Sequence, residues 1–246
     1  MSKFNEVDDP RREWLIKALS TGLFATGMDM AAAQSFFGSK PTKMPAGQSI
    51  YSAVGEVRVN NETATLSTPV KPGDTVQTGA NSQIVFAVGT QAMILRSDST
   101  LVIQQPATPQ PSLASTLIGG LRLLTGKLLS VSRNSPMKVI TSTATIGIRG
   151  TGYYVEADPE QTYFCTCYGT TEVQATDDPT SRDMVEALHH DRPLYIVKDG
   201  GAGKNIRSAP FVNHTDPELA LIEALVGRMP PYVFGKDSYS GPRKSY

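Results

Sequence analysis

The chain has 246 residues, enough for one large domain or two small ones, and 39 % of them are hydrophobic, the share of an ordinary globular core. Lys and Arg total 23, and so do Asp and Glu. That balance removes the basic excess that non-specific nucleic-acid binding and attraction to a membrane surface require, so no nucleic-acid partner is expected.

The first 33 residues read as a leader separate from the fold. Arg11 and Arg12 precede Trp14, Leu15, Ile16 and Lys17, and a modestly apolar run from Ala18 to Met28 ends in Ala31, Ala32 and Ala33. The run is shorter than the about 20 residues a membrane-spanning helix needs, and the small residues give a cleavage pattern. The segment resembles a twin-arginine export signal, although Pro10 and Asp29 depart from that pattern. The resemblance implies export of an already folded protein by the twin-arginine machinery, a periplasmic location, and an anchor if the signal is retained. Residues 34–48 read as a linker, with Pro41 and Pro45 breaking regular structure.

From Ser49 onward, short β-branched runs alternate with turn residues. Turns are expected at Pro72-Gly73-Asp74, Gly79 to Ser82, Gly89-Thr90 and Ser97 to Ser99. Between them Gln83–Val88, Ala92–Leu95 and Thr100–Ile103 have strand length and composition. Pro106, Pro109 and Pro111 mark a loop. Leu113 to Val131 carries leucines at helical spacing, but Gly119, Gly120 and Gly126 argue for strand, turn, strand. Val139 to Val155 is rich in strand formers, with Gly147, Gly150 and Gly152 suggesting bulges or bends. Thr162–Tyr168 and Thr170–Thr176 read as a strand pair turning at Gly169. The expected class is all-β: many short antiparallel strands in a sandwich or roll, closed by a C-terminal helix.

Gly55, Gly73-Asp74, Thr78-Gly79, Ser82, Gly126 and the block Ile148-Arg149-Gly150-Thr151 follow one another at spacings that resemble the FecR domain. The resemblance spans about residues 49–175. It implies an extracytoplasmic β module that binds a protein partner or envelope component in sensing or scaffolding. Anti-sigma members carry a cytoplasmic domain ahead of a membrane span; ten residues precede Arg11, so that role is not expected here. Arg149, Gly150 and Thr151 are read as a structural motif, with Arg149 pairing to a carboxylate or to turn carbonyls.

Residues 176–235 form an extension. Arg182 to Leu188 is expected to make one or two helical turns, and Pro193 to Asp199 a strand. The clearest helix starts near Asp216, read as its N-cap, with Pro217 at the first helical position and Gly227 just past the end. Leu219, Ile222, Leu225 and Val226 form its apolar face, suited to covering a sheet. Residues 236–246 read as a polar, disordered tail.

The chemistry-bearing residues are few. Cys165 and Cys167 are the two cysteines of the chain, and His189, His190 and His214 its three histidines. Two residues apart in a strand, the thiols share one face at about 6.6 Å, too far for a local disulfide without a bulge. Same-face thiolates can instead converge on zinc or copper, with His189 or His190, His214 or a carboxylate such as Asp191 completing the set. Adjacent histidines in a strand point oppositely, so one of His189 and His190 would serve. Free core thiols, a metal site and a bulged disulfide all stay open, since the spacing matches no standard zinc motif. No phosphate loop, His-Glu-x-x-His helix or Gly-x-Ser-x-Gly turn occurs, so an enzyme is not expected.

Overall fold

The computed structural model describes residues 42–106, 118–133 and 136–231. The export-signal residues Arg11 and Arg12, the linker through Pro41, Pro109 and Pro111 of the proline loop, and the polar tail lie outside them. Among the described residues the chain forms β1 (Ile50–Val54), β2 (Val57–Val59), β3 (Glu62–Thr63), β4 (Thr75–Thr78), β5 (Gln83–Val88), β6 (Gln91–Leu95), β7 (Thr100–Gln104), β8 (Gly120–Ser132), β9 (Met137–Ile140), β10 (Ala144–Ala157), β11 (Gln161–Ala175), β12 (Arg182–Ala187), β13 (Leu194–Val197), β14 (Ile206–Ser208) and helix α1 (Asp216–Leu225). The expected all-β class holds. No helix among the described residues is long and apolar enough to cross a membrane.

The 14 strands form one hydrogen-bonded sheet that branches at its long members. The first half of β8 pairs with β7 and, in parallel, with β9, while its second half pairs with β6 and β10. β8 is therefore a single strand that changes partners, so Gly126 does not end a strand as expected; residues 113–117 lie outside the described residues. The change falls at Gly126, which has φ +92° and sits against Ser99. A glycine reaches that conformation without the clash a Cβ would cause. A Cβ there would lie 2.0 Å from Ser99 Oγ. Gly126→Val is expected to cost about 2–3 kcal/mol, read as a lower urea midpoint.

Gly169 behaves the same way. It has φ +90° inside β11, which continues through it as a 15-residue strand, so the expected reversal there does not occur. Opposite it, β10 bulges between Arg149 and Gly152, with Gly150 at φ +63°. The two strands bend together, and β11 trades β13 for β12 as its outer partner. Arg149 is exposed at this bulge and makes no side-chain hydrogen bond or ion pair among the described residues, in place of the expected pairing.

Arg182 to Ala187 is a strand, not helical turns. Val185 and Ala187 turn inward while Arg182, Met184 and Glu186 face out, and pairing with β11 overrides the helix preference of Met, Glu and Ala.

Two apolar clusters explain the composition of the central strands. Ile84, Phe86, Met93, Leu95, Leu128, Tyr153, Val155 and Phe164 face the main core. Their neighbours Val85, Ala87, Ala92, Ile94, Leu129, Tyr154, Tyr163, Cys165 and Cys167 face a second cluster completed by Leu219, Leu221, Ile222 and Leu225 of α1. Strands buried on both faces read as continuous apolar runs rather than alternating ones. The helix thus covers the outer face of the central strands, as its apolar stripe suggested.

On the main-core face, Gln91, Ser132 and Thr151 stand side by side across β6, β8 and β10, with Ser130 and Tyr153 in the adjacent row. All are buried, and the side-chain oxygens of Gln91, Ser132 and Thr151 have no hydrogen-bond partner among the described residues. A buried polar atom without a partner carries its desolvation cost uncompensated. Ser132→Ala is therefore expected to hold or raise stability, by up to about 1 kcal/mol, in equilibrium unfolding.

Candidate metal centre

The second cluster holds the chemistry. Cys165 and Cys167 lie on β11, pointing to the same face as expected, and both are free, fully buried thiols. The loop after β12 returns to them through a backbone bond from His190 N to Cys167 O (3.0 Å). Asp191 turns this loop by accepting the backbone N–H groups of Leu188 and His189. That is its use here, in place of the ligand role considered from sequence. His190 takes φ +54°, so the segment is not extended, and His189 and His190 do not point oppositely: both rings meet Asp216. His214 arrives from the segment leading into α1.

Cys165, Cys167, His190 and His214 bring four ligand atoms within 4.8 Å of one another, all buried. Cys165 Sγ lies 3.6 Å from His190 Nδ1, and His190 Nδ1 lies 3.1 Å from His214 Nε2. Tetrahedral zinc, with Zn–S about 2.3 Å and Zn–N about 2.0–2.1 Å, separates sulfur from nitrogen by about 3.6 Å and nitrogen from nitrogen by about 3.3 Å. The two spacings of His190 Nδ1 are close to those of this shell.

The outer contacts set which nitrogens face inward. His214 Nδ1 donates to the Val212 carbonyl at 2.8 Å, which leaves Nε2 bare. His190 Nε2 lies 3.0 Å from Asp216 Oδ1 and donates to it, which turns Nδ1 toward Cys165 and His214. Carboxylate–histidine and carbonyl–histidine pairs of this kind orient metal-bound imidazoles. His190 Nδ1 and His214 Nε2, 3.1 Å apart, are bridged by a cation, either the proton that His190 carries or a metal ion in its place. The rings are fixed by packing: His214 stacks on Tyr154 at 4.5 Å, and Phe211 touches both histidines at 4.5 and 4.4 Å.

Within the pocket, burial and the neighbouring groups shift the ionisable side chains of Cys165, Cys167, His190, His214 and Asp216. Burial pushes the Cys165 thiol up, but the Cys167 hydrogen bond and the neighbouring His214 and His190 outweigh it and hold the group well below the ordinary thiol range. Burial and then Cys165 push Cys167 well above it. Burial opposes protonation of His190, yet Asp216 and Cys165 raise it to about 9. Burial lowers His214. Burial disfavours the Asp216 carboxylate, and hydrogen bonds from His190 and His189 reverse that and lower it.

His189 stays outside the inner four. Its ring is 30 % exposed, and its Nε2 lies 2.9 Å from Asp216 Oδ1. Asp216 is the residue that sequence reasoning missed. It is the first residue of the helix rather than its cap, because Thr215 takes the cap position, and Pro217 falls one place later than expected. Glu218 accepts the Thr215 backbone N–H and hydroxyl at 2.9 and 3.0 Å. The signal was present as Thr215-x-x-Glu218, a capping-box spacing, and reading it frees the Asp216 carboxylate for the histidines. Gly227 takes φ +73° just past the helix, as expected.

Fold and site together define an all-β protein with a buried Cys₂His₂ cluster between a sheet and its covering helix. No family model matches the chain, and no curated protein does. It is similar in shape to two crystal structures of an anti-sigma factor candidate from Parabacteroides distasonis ATCC 8503. One has 12 % identity and a TM-score of 0.42, covering 61 % of this chain and 73 % of that one. The other has 13 % identity and a TM-score of 0.41, covering 67 % and 81 %. Likeness at this level carries no function across.

Proposed function

We propose that this chain is a metal-holding β module in which Cys165, Cys167, His190 and His214 bind one zinc-class ion. The observation that carries the reading is the pair of inward-facing imidazole nitrogens, 3.1 Å apart, one of them 3.6 Å from the Cys165 thiol, each ring fixed by an outer hydrogen bond. Four protein ligands fill a tetrahedral shell and leave no position for substrate, so the ion is structural and the reading assigns no turnover. It ties β11, the loop after β12 and the start of α1 together. Soft thiolates suit copper(I) as well as zinc, and the two imidazoles tip the set toward zinc. Export in the folded state, read from Arg11 and Arg12, supports loading before transport and a periplasmic site of action.

Elemental analysis of the purified protein with a free-thiol count tests this. About one ion per chain is expected, lost in Cys165→Ser/Cys167→Ser. Two titratable thiols and no metal after incubation with zinc would remove the reading.

A second reading, compatible with the first, is attachment to a protein partner in the cell envelope, as the FecR resemblance implies. One observation favours it: Met184 and Leu188, 62 % and 81 % exposed, lie on and just after β12, which among the described residues pairs with β11 on one side only. An open strand edge with apolar side chains is a docking edge for another chain. A photo-crosslinker at Met184 should give one discrete adduct in cells, and Leu188→Asp should abolish it.

A further inference from the structure

The four inner ligands are buried, so an ion needs a route to them, and the structure contains a second donor group at the surface. His189, His190 and Asp216 form a cluster whose ligand atoms also lie within 4.8 Å of one another. It shares His190 with the inner site, but through the other ring nitrogen. Nδ1 faces Cys165 and His214, while Nε2 faces Asp216. Asp216 Oδ1 lies 2.9 Å from His189 Nε2 and 3.0 Å from His190 Nε2. Among the residues of the two clusters His189 is the one with substantial solvent access, at 30 %.

We propose that His189, Asp216 and Nε2 of His190 form an outer metal station that receives a divalent ion from solvent and passes it to the buried Cys₂His₂ site. This rests on the metal reading above. Two imidazoles and one carboxylate make a three-ligand site with a water in the remaining position, the arrangement that permits exchange. The donor separations open by a few tenths of an ångström to reach the about 3.3–3.4 Å of tetrahedral coordination. The incoming ion displaces the Nε2 proton of His190 to solvent, so in the outer station His190 is neutral, with its proton on Nδ1 and the ion on Nε2. On transfer the ion moves to Nδ1, whose proton leaves to solvent, and a proton returns to Nε2 and is held by Asp216. Cys165 and Cys167 bind as thiolates, and any thiol protons still present leave to solvent. Asp216 serves both states, as a ligand in the first and as the acceptor that orients His190 in the second.

The test uses the full chain stripped of metal, with Co²⁺ as the probe, because thiolate-to-cobalt absorption reports arrival at the inner site. In stopped-flow mixing, His189→Ala should slow the appearance of that absorption by about tenfold while leaving the equilibrium affinity within about threefold. Asp216→Asn should slow it and also weaken affinity by about 10–100-fold, as loss of an outer carboxylate does. Free imidazole should restore the rate of His189→Ala. His189→Gln keeps a hydrogen bond to Asp216 but is a poor ligand, so it should remain slow. Equal rates for wild type and His189→Ala, or a His189→Gln variant loading at the wild-type rate, would overturn the station while leaving the buried site standing. A wild-type protein showing no thiolate-to-cobalt absorption at any concentration would overturn the buried site itself. Circular dichroism and unfolding midpoints matched to wild type confirm that each variant is folded.

Discussion

Stripping the ion with a chelator will lower the unfolding midpoint by about 10 °C, while the same treatment of Cys167→Ser will change nothing. An ion that binds only the native state and is present at a thousand times its dissociation constant stabilises by about 4 kcal/mol. For a domain of 150–250 residues each kcal/mol shifts the midpoint by about 2–4 °C. The loss should be local before it is global. On the proposed reading an ion joins His190, in the loop after β12, and His214, ahead of α1, to the thiols of β11, which the fold already brings within 4.8 Å of one another. The main core on the opposite face of the sheet contains none of these residues. Hydrogen exchange should therefore rise first in residues 188–191 and at the start of α1, and last in β5, β6 and β8. Serine is close to cysteine in size but a poor soft-metal ligand, so Cys167→Ser separates ligation from packing. A wild-type midpoint indifferent to both zinc and chelator would mean that the thiols only pack.

Much of this architecture was legible where turns carry their own chemistry. Gly79 to Ser82, Gly89-Thr90 and Ser97 to Ser99 bound β5, β6 and β7 closely because those positions need glycine, asparagine or aspartate to reverse the chain. Gly126 and Gly169 misled for the same reason. Their positive φ values bend a strand that continues, and whether a glycine reverses a chain or bends it depends on the strands beside it. Arg182–Ala187 shows the same limit, since its place on the edge of β11 is a long-range pairing that local preference does not contain. The site was legible as an inventory of two thiols and three histidines. Its geometry was not, because it depends on the left-handed backbone of His190 and on a carboxylate that had been read as a helix cap.

The largest loss of stability from a single substitution should come from Glu218→Ala, at about 3–5 kcal/mol. Glu218 Oε1 accepts a 2.9 Å bond from Arg96 Nη2, and the two side chains are 5 % and 6 % exposed. Arg96 Nε and Nη1 have no hydrogen-bond partner among the described residues, so the pair is the principal answer to a buried guanidinium. Burial works against that charge, and Glu218 overcomes it and raises the Arg96 pKa. Removing the carboxylate strands a charge beneath the helix and also strips Thr215 of its capping partner. The damage should reach the metal centre, because Arg96 lies 5.1 Å over the ring of Tyr154, and that ring stacks on His214. Urea unfolding and zinc affinity measured on the same variant should both fall. Pairing Arg96→Met with Glu218→Leu should recover most of the stability, since replacing both members of a buried ion pair by apolar side chains leaves no charge to solvate. If Glu218→Ala alone costs less than about 1 kcal/mol, Arg96 reaches solvent when its partner is gone, and the helix is held by Leu219, Ile222 and Leu225 rather than by this pair.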